Sequence, residues 1–230
     1  MSVTRTAAAD LARALAAAAA HRAPGTEIEF DAIRLDAAPG GLTAIATDRY
    51  TLAAAHAAGT TYSDRRTTAV LDAGEADRLL ADARRLAGLA PEVEVAVSID
   101  TGEHAVSLIC FGSRIEKVYK TDSCNEDLAG LDWAGAVDKA LDELRPDAPV
   151  HLDSTLLARY AAPRTRMQVI ASGALDADPT TARAALVTVE DWLVGVIAGT
   201  TPTEQAPHHR AEQVAAAITG RAPAAAGGDR

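Results

Sequence analysis

Histidine and cysteine are present in this sequence, but not at the spacings that metal or nucleophile chemistry requires. The histidines are scattered along the chain, at positions 21, 56, 104, 151, 208 and 209. None of them has a second histidine or a glutamate at the spacing of a zinc site. Cys110 and Cys124 belong to no Cys-x-x-Cys or Cys/His pattern, so we expect two reduced thiols. The sequence therefore predicts no metal site.

Asp48 is the acidic residue that most invites a catalytic interpretation. It follows a predicted strand, but no base stands near it, so a turn cap that accepts backbone hydrogen bonds explains it better. The chain contains neither a Gly-rich phosphate loop nor a Gly-x-Ser-x-Gly motif. We predict no catalytic residue and no cofactor, and an enzyme is the third choice among the possible functions.

Arginine carries the most suggestive pattern. The chain has 22 Lys+Arg against 32 Asp+Glu, a net charge of −10, which excludes a uniformly basic DNA-coating protein. Arginines nevertheless concentrate on segments predicted to be helical, at 5, 13 and 22, at 78, 84 and 85, and at 159, 164 and 166. A local basic surface is one interpretation. The other is an ordinary solvated helix face, on which arginine is common.

The segments that carry these arginines belong to a repeated pattern. Near residues 2, 67 and 149 a short strand leads through a turn into a helix, and the third helical segment spans residues 154–166. Asp72 and Glu75 have the spacing of a capping box. After each helix the hydrophobic period changes to two, which predicts strands at 28–35, 42–46 and 51–55, at 93–99, 106–111 and 115–119, and at 167–171, 185–189 and 193–198.

The pattern indicates three βαβββ units with antiparallel sheets and helices on one face, an α+β fold. We predict a complete domain of two units at 1–122, a connector at 123–148, a half domain of one unit at 149–201, and a flexible tail at 202–230. The connector is expected to hold a short helix at 136–144. Trp133 and Trp192 are interpreted as core or interface anchors, with partner docking as the alternative.

Residues 30–53 carry a resemblance to a known family. They read strand, Pro-Gly-Gly turn, strand, and then Ala46-Thr47-Asp48 followed by Leu52-Ala53. This order resembles the signature of the bacterial DNA polymerase III beta subunit, the beta sliding clamp. Residues 69–119, the Asp-Trp connector and residues 149–200 resemble later parts of that family in the correct order.

The resemblance implies a DNA-clamp-like fold in which helices line the inside of a ring and strands form its outer wall. It implies non-specific binding of double-stranded DNA, as in a polymerase processivity factor, with self-association to close the ring. The residues that we expect to face phosphates are Arg13, Arg78, Arg85, Arg159 and Arg166. DNA polymerase or clamp-loader components are the other expected partners.

Two departures from the family keep a second function open. Family members have three two-unit domains, whereas this chain shows about one and a half; where they end in a Met-Pro-x-Arg-type segment, this chain has Ala198-Gly199-Thr200-Thr201. The alternative is a clamp-derived interaction protein, decoy or inhibitor that binds replication partners without encircling DNA. No signal peptide or membrane segment is apparent, and the alanine run at 16–20 is too short and weakly apolar, so a cytoplasmic location is expected.

Overall fold

Side chains alternate between buried and partly exposed positions along strands such as β7 (Ala105–Cys110) and β11 (Leu193–Ala198), as a sheet packed on helices requires. The computed structural model describes residues 1–23, 30–90, 92–111, 115–123, 125–146, 148, 150–161, 165–173 and 184–199. Residues 1–199 form one compact unit. The predicted tail at 202–230 and Arg164 lie outside the described residues.

The elements follow the predicted repeat. The first unit is β1 (Ser2–Ala7), α1 (Ala8–Ala19), β2 (Ala32–Ala38), β3 (Gly41–Thr47) and β4 (Thr51–Thr61). The second is β5 (Thr67–Asp72), α2 (Ala73–Ala87), β6 (Glu94–Asp100), β7 and β8 (Glu116–Lys120). The connector holds α3 (Glu126–Ala129) and α4 (Trp133–Asp142), and the third unit contains α5 (Ser154–Ala158), β9 (Met167–Ser172), β10 (Ala184–Val189) and β11.

The third unit departs most from its predicted elements. The helix expected over 154–166 ends at Ala158, although an i→i+3 hydrogen bond from the Ala161 amide to the Ala158 carbonyl continues the turn. A proline at 163 has no amide hydrogen and cannot continue a helix to residue 166. Residues 151–153 form no strand, although Asp153 caps α5 by accepting from the Thr155 amide at 2.7 Å. Arg159 is consequently the C-cap of a short helix, and Arg166 lies beyond the helix.

All strand pairs are antiparallel, and β4 is the branch point of the sheet. The main path runs β5-β2-β3-β4-β1-β6-β7-β8. The end of β4 pairs with β1, with Thr61 opposite Thr4, while its start pairs with β11, with Thr51 opposite Ile197. The third unit therefore extends the sheet of the first through β11, β10 and β9.

One face of this sheet, which we call the helical face, packs against α1, α2 and α5. Leu11 and Leu15 of α1 and Leu79 and Leu86 of α2 are fully buried in its core. The sheet beneath presents mainly small residues to α1, including Ala44, Ala46, Ala53 and Ala55. Alanine lets the helix backbone lie close to the strands, as the alanine-rich composition suggested.

The opposite face, which we call the outer face, is covered over part of its area by the connector. Ile45, Leu52 and Ala54 alternate with the residues of the helical face and pack against Val137 and Ala140 of α4. The predicted α+β class is confirmed, and the connector adds two short helices on the face away from α1 and α2. No helix in the described part of the chain is long and apolar enough to cross a membrane.

Candidate nucleic-acid interface

Helix α2 displays the largest group of arginines on the helical face. Asp72 is its N-cap, and the Asp72 carboxylate accepts a hydrogen bond from the Glu75 amide at 2.8 Å, which is the Asp72 half of the predicted capping box. The Glu75 carboxylate itself contacts Arg78 at 2.7 Å, and Arg85 contacts Asp82 at 3.1 Å. Both guanidinium groups remain more than half exposed.

Arg13 is the exposed cation of α1. Its guanidinium lies 2.9 Å from Asp10 and stacks over the ring of Trp192 at 4.8 Å from the ring centroid. Trp192 is 5% exposed, so the predicted anchoring role of this tryptophan is supported by its burial. Arg13 thereby connects the first helix to the hairpin of β10 and β11.

The charge of this helical surface is nearly balanced. Arg13, Arg78 and Arg85 each have a carboxylate three residues earlier on the same helix. Exposed pairs of this kind contribute only about 0.3–0.5 kcal/mol each, so a phosphate can compete for the guanidinium. Arg84, next to Arg85 on α2, is exposed and makes no ion pair with the residues that the structure describes.

Arg159 occupies a different environment from these helix-surface arginines. It contacts the carboxylate of Asp48 and is about one third exposed, with Asp48 nearly buried. The Asp48 carboxylate also accepts from the amides of Tyr50 and Thr51 and from the Thr51 hydroxyl, at 3.0, 2.7 and 2.8 Å. The turn-cap interpretation of Asp48 is confirmed, and its partner is the cation of the third unit.

Burial acts in one direction on the pKa of Asp48, and its hydrogen bonds and ion pair act in the other. Burial raises the pKa of its carboxyl group, but the hydrogen bonds from Thr51 and the contact with Arg159 outweigh burial and hold the pKa below its ordinary value. Asp48 is therefore ionised at neutral pH. Such a carboxylate suits a structural cap and an ion pair, not a general acid.

His21 lies beside this ion pair at the end of α1. It is fully buried, its Nδ1 lies 3.0 Å from the Thr51 hydroxyl, and its ring centroid is 4.1 Å from that of Tyr160. Burial and the positive charge of Arg159 lower its pKa to about 4. The Tyr160 hydroxyl donates to the Leu52 carbonyl at 2.7 Å. These groups, together with Asp48 and Arg159, form what we call the polar junction.

Arg166, the last of the five predicted phosphate contacts, precedes β9. Its side chain is exposed, and its carbonyl accepts from the Glu190 amide at 3.1 Å. The structure thus places Arg13, Arg78 and Arg85 on α1 and α2, Arg159 in the polar junction and Arg166 beyond α5. Their role toward DNA stays a prediction.

A buried charge cluster on the outer face escaped sequence reasoning. Arg34 and Asp36 of β2 are almost fully buried and joined by two hydrogen bonds of 2.7 and 2.9 Å. Asp36 also accepts from Trp133 Nε1 at 3.0 Å, and Arg34 donates to the carbonyls of Ala129 and Leu131 at 2.8 Å. The available signal was an Arg-x-Asp pair inside an apolar strand, and its function is to hold the connector.

An apolar groove of about 360 Å³ lies on the outer side of the joint between β4 and β11. Its lining residues include Phe30, Tyr50, Leu52, Leu131, Val196 and Ala198. Ala198 belongs to the segment in which this chain departs from the resembled family; Thr200 and Thr201 lie outside the described residues. Within the described part, no cluster of three or more His, Cys, Asp or Glu side chains could hold a metal.

Comparison with solved structures identifies the architecture. The chain is similar to the beta subunit of DNA polymerase of Streptococcus pyogenes, with a TM-score of 0.60 and 9% identity over 91% of this chain and 67% of that one. It is also similar to a DNA polymerase III beta subunit of Eubacterium rectale, with a TM-score of 0.57 and 11% identity over the same shares.

A third similar structure is the beta clamp of Helicobacter pylori bound to a DNA ligase peptide. Its TM-score is 0.53 at 8% identity, over 90% of this chain and 69% of that one. The chain has the fold of a sliding clamp. No family model and no curated protein matches the sequence. At these identities the likeness shows the clamp fold alone.

Proposed function

We propose that this clamp-like chain binds double-stranded DNA without sequence preference, through its helical face, as one subunit of a closed assembly. The observation that carries the proposal is the clamp fold with exposed arginines on α1 and α2. Phosphates would contact Arg13, Arg78 and Arg85, with Arg84 adding charge. No bond chemistry is involved, so the protein acts by holding DNA and not as an enzyme.

The local charge pattern supports binding despite the net charge of −10. The carboxylates that contact these arginines stand on the same helix, in exposed pairs that salt and phosphate displace easily. Binding would be weak at each phosphate and strongly salt-dependent, because counterion release supplies its free energy. A chain of three units cannot surround a duplex alone, so self-association is part of the proposal.

The test measures the oligomeric state of the protein and its retention on circular and linear DNA. Light scattering coupled to size-exclusion chromatography should show an oligomer, and the protein should stay on closed circular DNA and slide off after the circle is cut. Replacing Arg13, Arg78 and Arg85 together by alanine should lower the slope of log K against log salt by about 1 for each phosphate that the variant no longer neutralises. Lys120, exposed at the end of β8, provides a matched control whose alanine variant should leave the slope unchanged. A monomer at high concentration that releases circular and linear DNA equally would contradict the proposal.

A second candidate function rests on the groove between β4 and β11. Its apolar walls favour a clamp-derived interaction protein that binds an apolar peptide segment of a replication protein. The Helicobacter pylori clamp in the comparison binds a DNA ligase peptide. Peptide binding measured by calorimetry should be abolished in Ala198→Asp, which places a charge in the groove, and retained in the triple arginine variant. Peptide binding without DNA affinity at low salt would favour this function over the first.

A further inference from the structure

Three side chains form a second surface, on the outer face and away from the connector. Arg5 stands in the middle of β1, between the buried Thr4 and Thr6, so its side chain lies on the face opposite to α1 and α2. Its guanidinium is 4.5 Å from the ring centroid of Phe111 and 5.4 Å from that of Tyr62. We call these three residues the Arg5 platform.

The rings of the platform are open to solvent. Tyr62 is 59% exposed and Phe111 is 43% exposed, in a chain whose aromatic content is only 3%. Neither ring is part of the hydrophobic core that the described residues form. Each ring therefore contacts the guanidinium and still keeps a large part of its surface accessible to solvent. Two exposed aromatic rings beside one cation supply faces on which a planar ligand can stack.

Arg5 differs from the arginines of the helical face in its partners. Arg13, Arg78 and Arg85 each contact a carboxylate, whereas the guanidinium of Arg5 forms no ion pair and no hydrogen bond with any residue that the structure describes. The two rings orient its guanidinium without satisfying its N–H donors. The N–H donors of this guanidinium are therefore available to an anion, and their planar arrangement matches the oxygen atoms of a phosphate.

We propose that the Arg5 platform binds single-stranded nucleic acid, with bases stacked on Tyr62 and Phe111 and a backbone phosphate on Arg5. A single strand supplies both planar bases and phosphates, and a duplex keeps its bases stacked inside. A protein partner could also bind to exposed aromatic and arginine side chains of this chain. Protein binding does not, however, require that the arginine lack a carboxylate partner, whereas phosphate binding is favoured by it. The platform is on the sheet face opposite to the proposed duplex site, so one subunit can hold both forms of DNA.

The experiment measures fluorescence anisotropy of a labelled oligothymidine of about 12 nucleotides with the full-length protein. Tyr62→Ala and Phe111→Ala should each weaken binding about five- to a hundredfold, the range seen for loss of one stacked base. An oligomer of the same length without bases should bind the wild type weakly and should not distinguish the variants. Arg5→Ala should weaken both ligands, because it removes the group that binds phosphate.

Tyr50 supplies the matched control, since it is 65% exposed and lies in the turn between β3 and β4, away from the platform. Tyr50→Ala should bind oligothymidine like the wild type, and circular dichroism should show every variant folded. The proposal is overturned if the platform variants bind oligothymidine as the wild type does, or if the base-free oligomer binds equally well. It is also overturned if the wild type binds no single strand and Tyr62→Ala instead abolishes binding of a replication protein. The proposal does not depend on the duplex site, which the triple arginine variant tests separately.

Discussion

The guanidinium of Arg159 donates a hydrogen bond to the carboxylate of Asp48, a residue 111 positions earlier in the chain. The contact joins the cap of the β3–β4 turn to the end of α5. The same turn starts β4, whose first residues pair with β11. A single ion pair thus stabilises both the turn and the attachment of the third unit to the first.

Loss of this ion pair should loosen the third unit. Arg159→Ala leaves Asp48 nearly buried without its cation, and we expect a loss of about 1–3 kcal/mol in the free energy of unfolding. Urea denaturation followed by circular dichroism measures it. Arg166→Ala is the matched control, because that side chain is exposed, and it should change stability by less than about 0.5 kcal/mol. Equal effects of the two substitutions would contradict a structural role for Arg159.

His21 should make stability depend on pH. Its pKa is lowered from 6.5 to about 4 in the folded protein, so the unfolded chain binds the proton more readily between these values. Stability is therefore complete above pH 6.5 and decreases by roughly 3 kcal/mol as the pH falls to 4. Thermal unfolding across this range measures the loss.

His21→Gln supplies the control for that titration. Glutamine does not titrate, so the slope of stability between pH 6.5 and 4 should flatten even if the variant is less stable at pH 7. The low pKa of Asp48 adds a separate loss that begins near the ordinary aspartate pKa of 3.8, because there the unfolded chain takes up a proton before the folded chain does. An unchanged slope in His21→Gln would show that another group causes it.

The buried pair on β2 should be more costly to break than any surface pair. Asp36→Ala leaves Arg34 charged, buried and without its carboxylate, and we expect a loss of about 3–5 kcal/mol. Thr68→Val removes only one hydrogen bond of 2.8 Å to Asp36 and should cost about 1–3 kcal/mol. Differential scanning calorimetry compares the two. Limited proteolysis should show earlier cleavage in the connector of Asp36→Ala, and protection equal to wild type would contradict the assigned role.

Gly195 of β11 packs closely against β4 of the first unit. A Cβ atom there would collide with the Leu52 carbonyl oxygen and the Tyr160 ring. Gly195→Ala should therefore lower stability by about 1–3 kcal/mol or more and weaken the joint. Gly88→Ala is the control, since its Cβ would meet only ordinary contacts at 3.5 Å. Its melting temperature should stay within a few degrees of the wild type or rise, while that of Gly195→Ala falls.

The sequence determined the elements of the fold because their signals are local. Alternation of apolar side chains predicted the strands, and Asp72 and Asp48 stand where a carboxylate can accept nearby backbone amides. The ordered combination of these elements predicted the α+β class, and its resemblance to a known family implied the clamp-like fold. Periodicity predicted too long a helix in the third unit. The predicted range was 154–166, whereas α5 ends at Ala158, and the proline at 163 cannot continue a helix.

Only the tertiary structure decided which distant residues meet. Three contacts join segments that are 97 to 146 residues apart: the pairing of β4 with β11, the ion pair of Asp48 with Arg159, and the contact of Asp36 with Trp133. No periodicity encodes such contacts, because they depend on how the sheet and the connector pack. The arginines could not be told apart from the sequence either. Packing placed Arg13 and Arg78 on an exposed helix surface and Arg159 in the polar junction. It placed Arg5 beside two aromatic rings. Burial and the nearest carboxylate, which are properties of the folded chain, separate these roles.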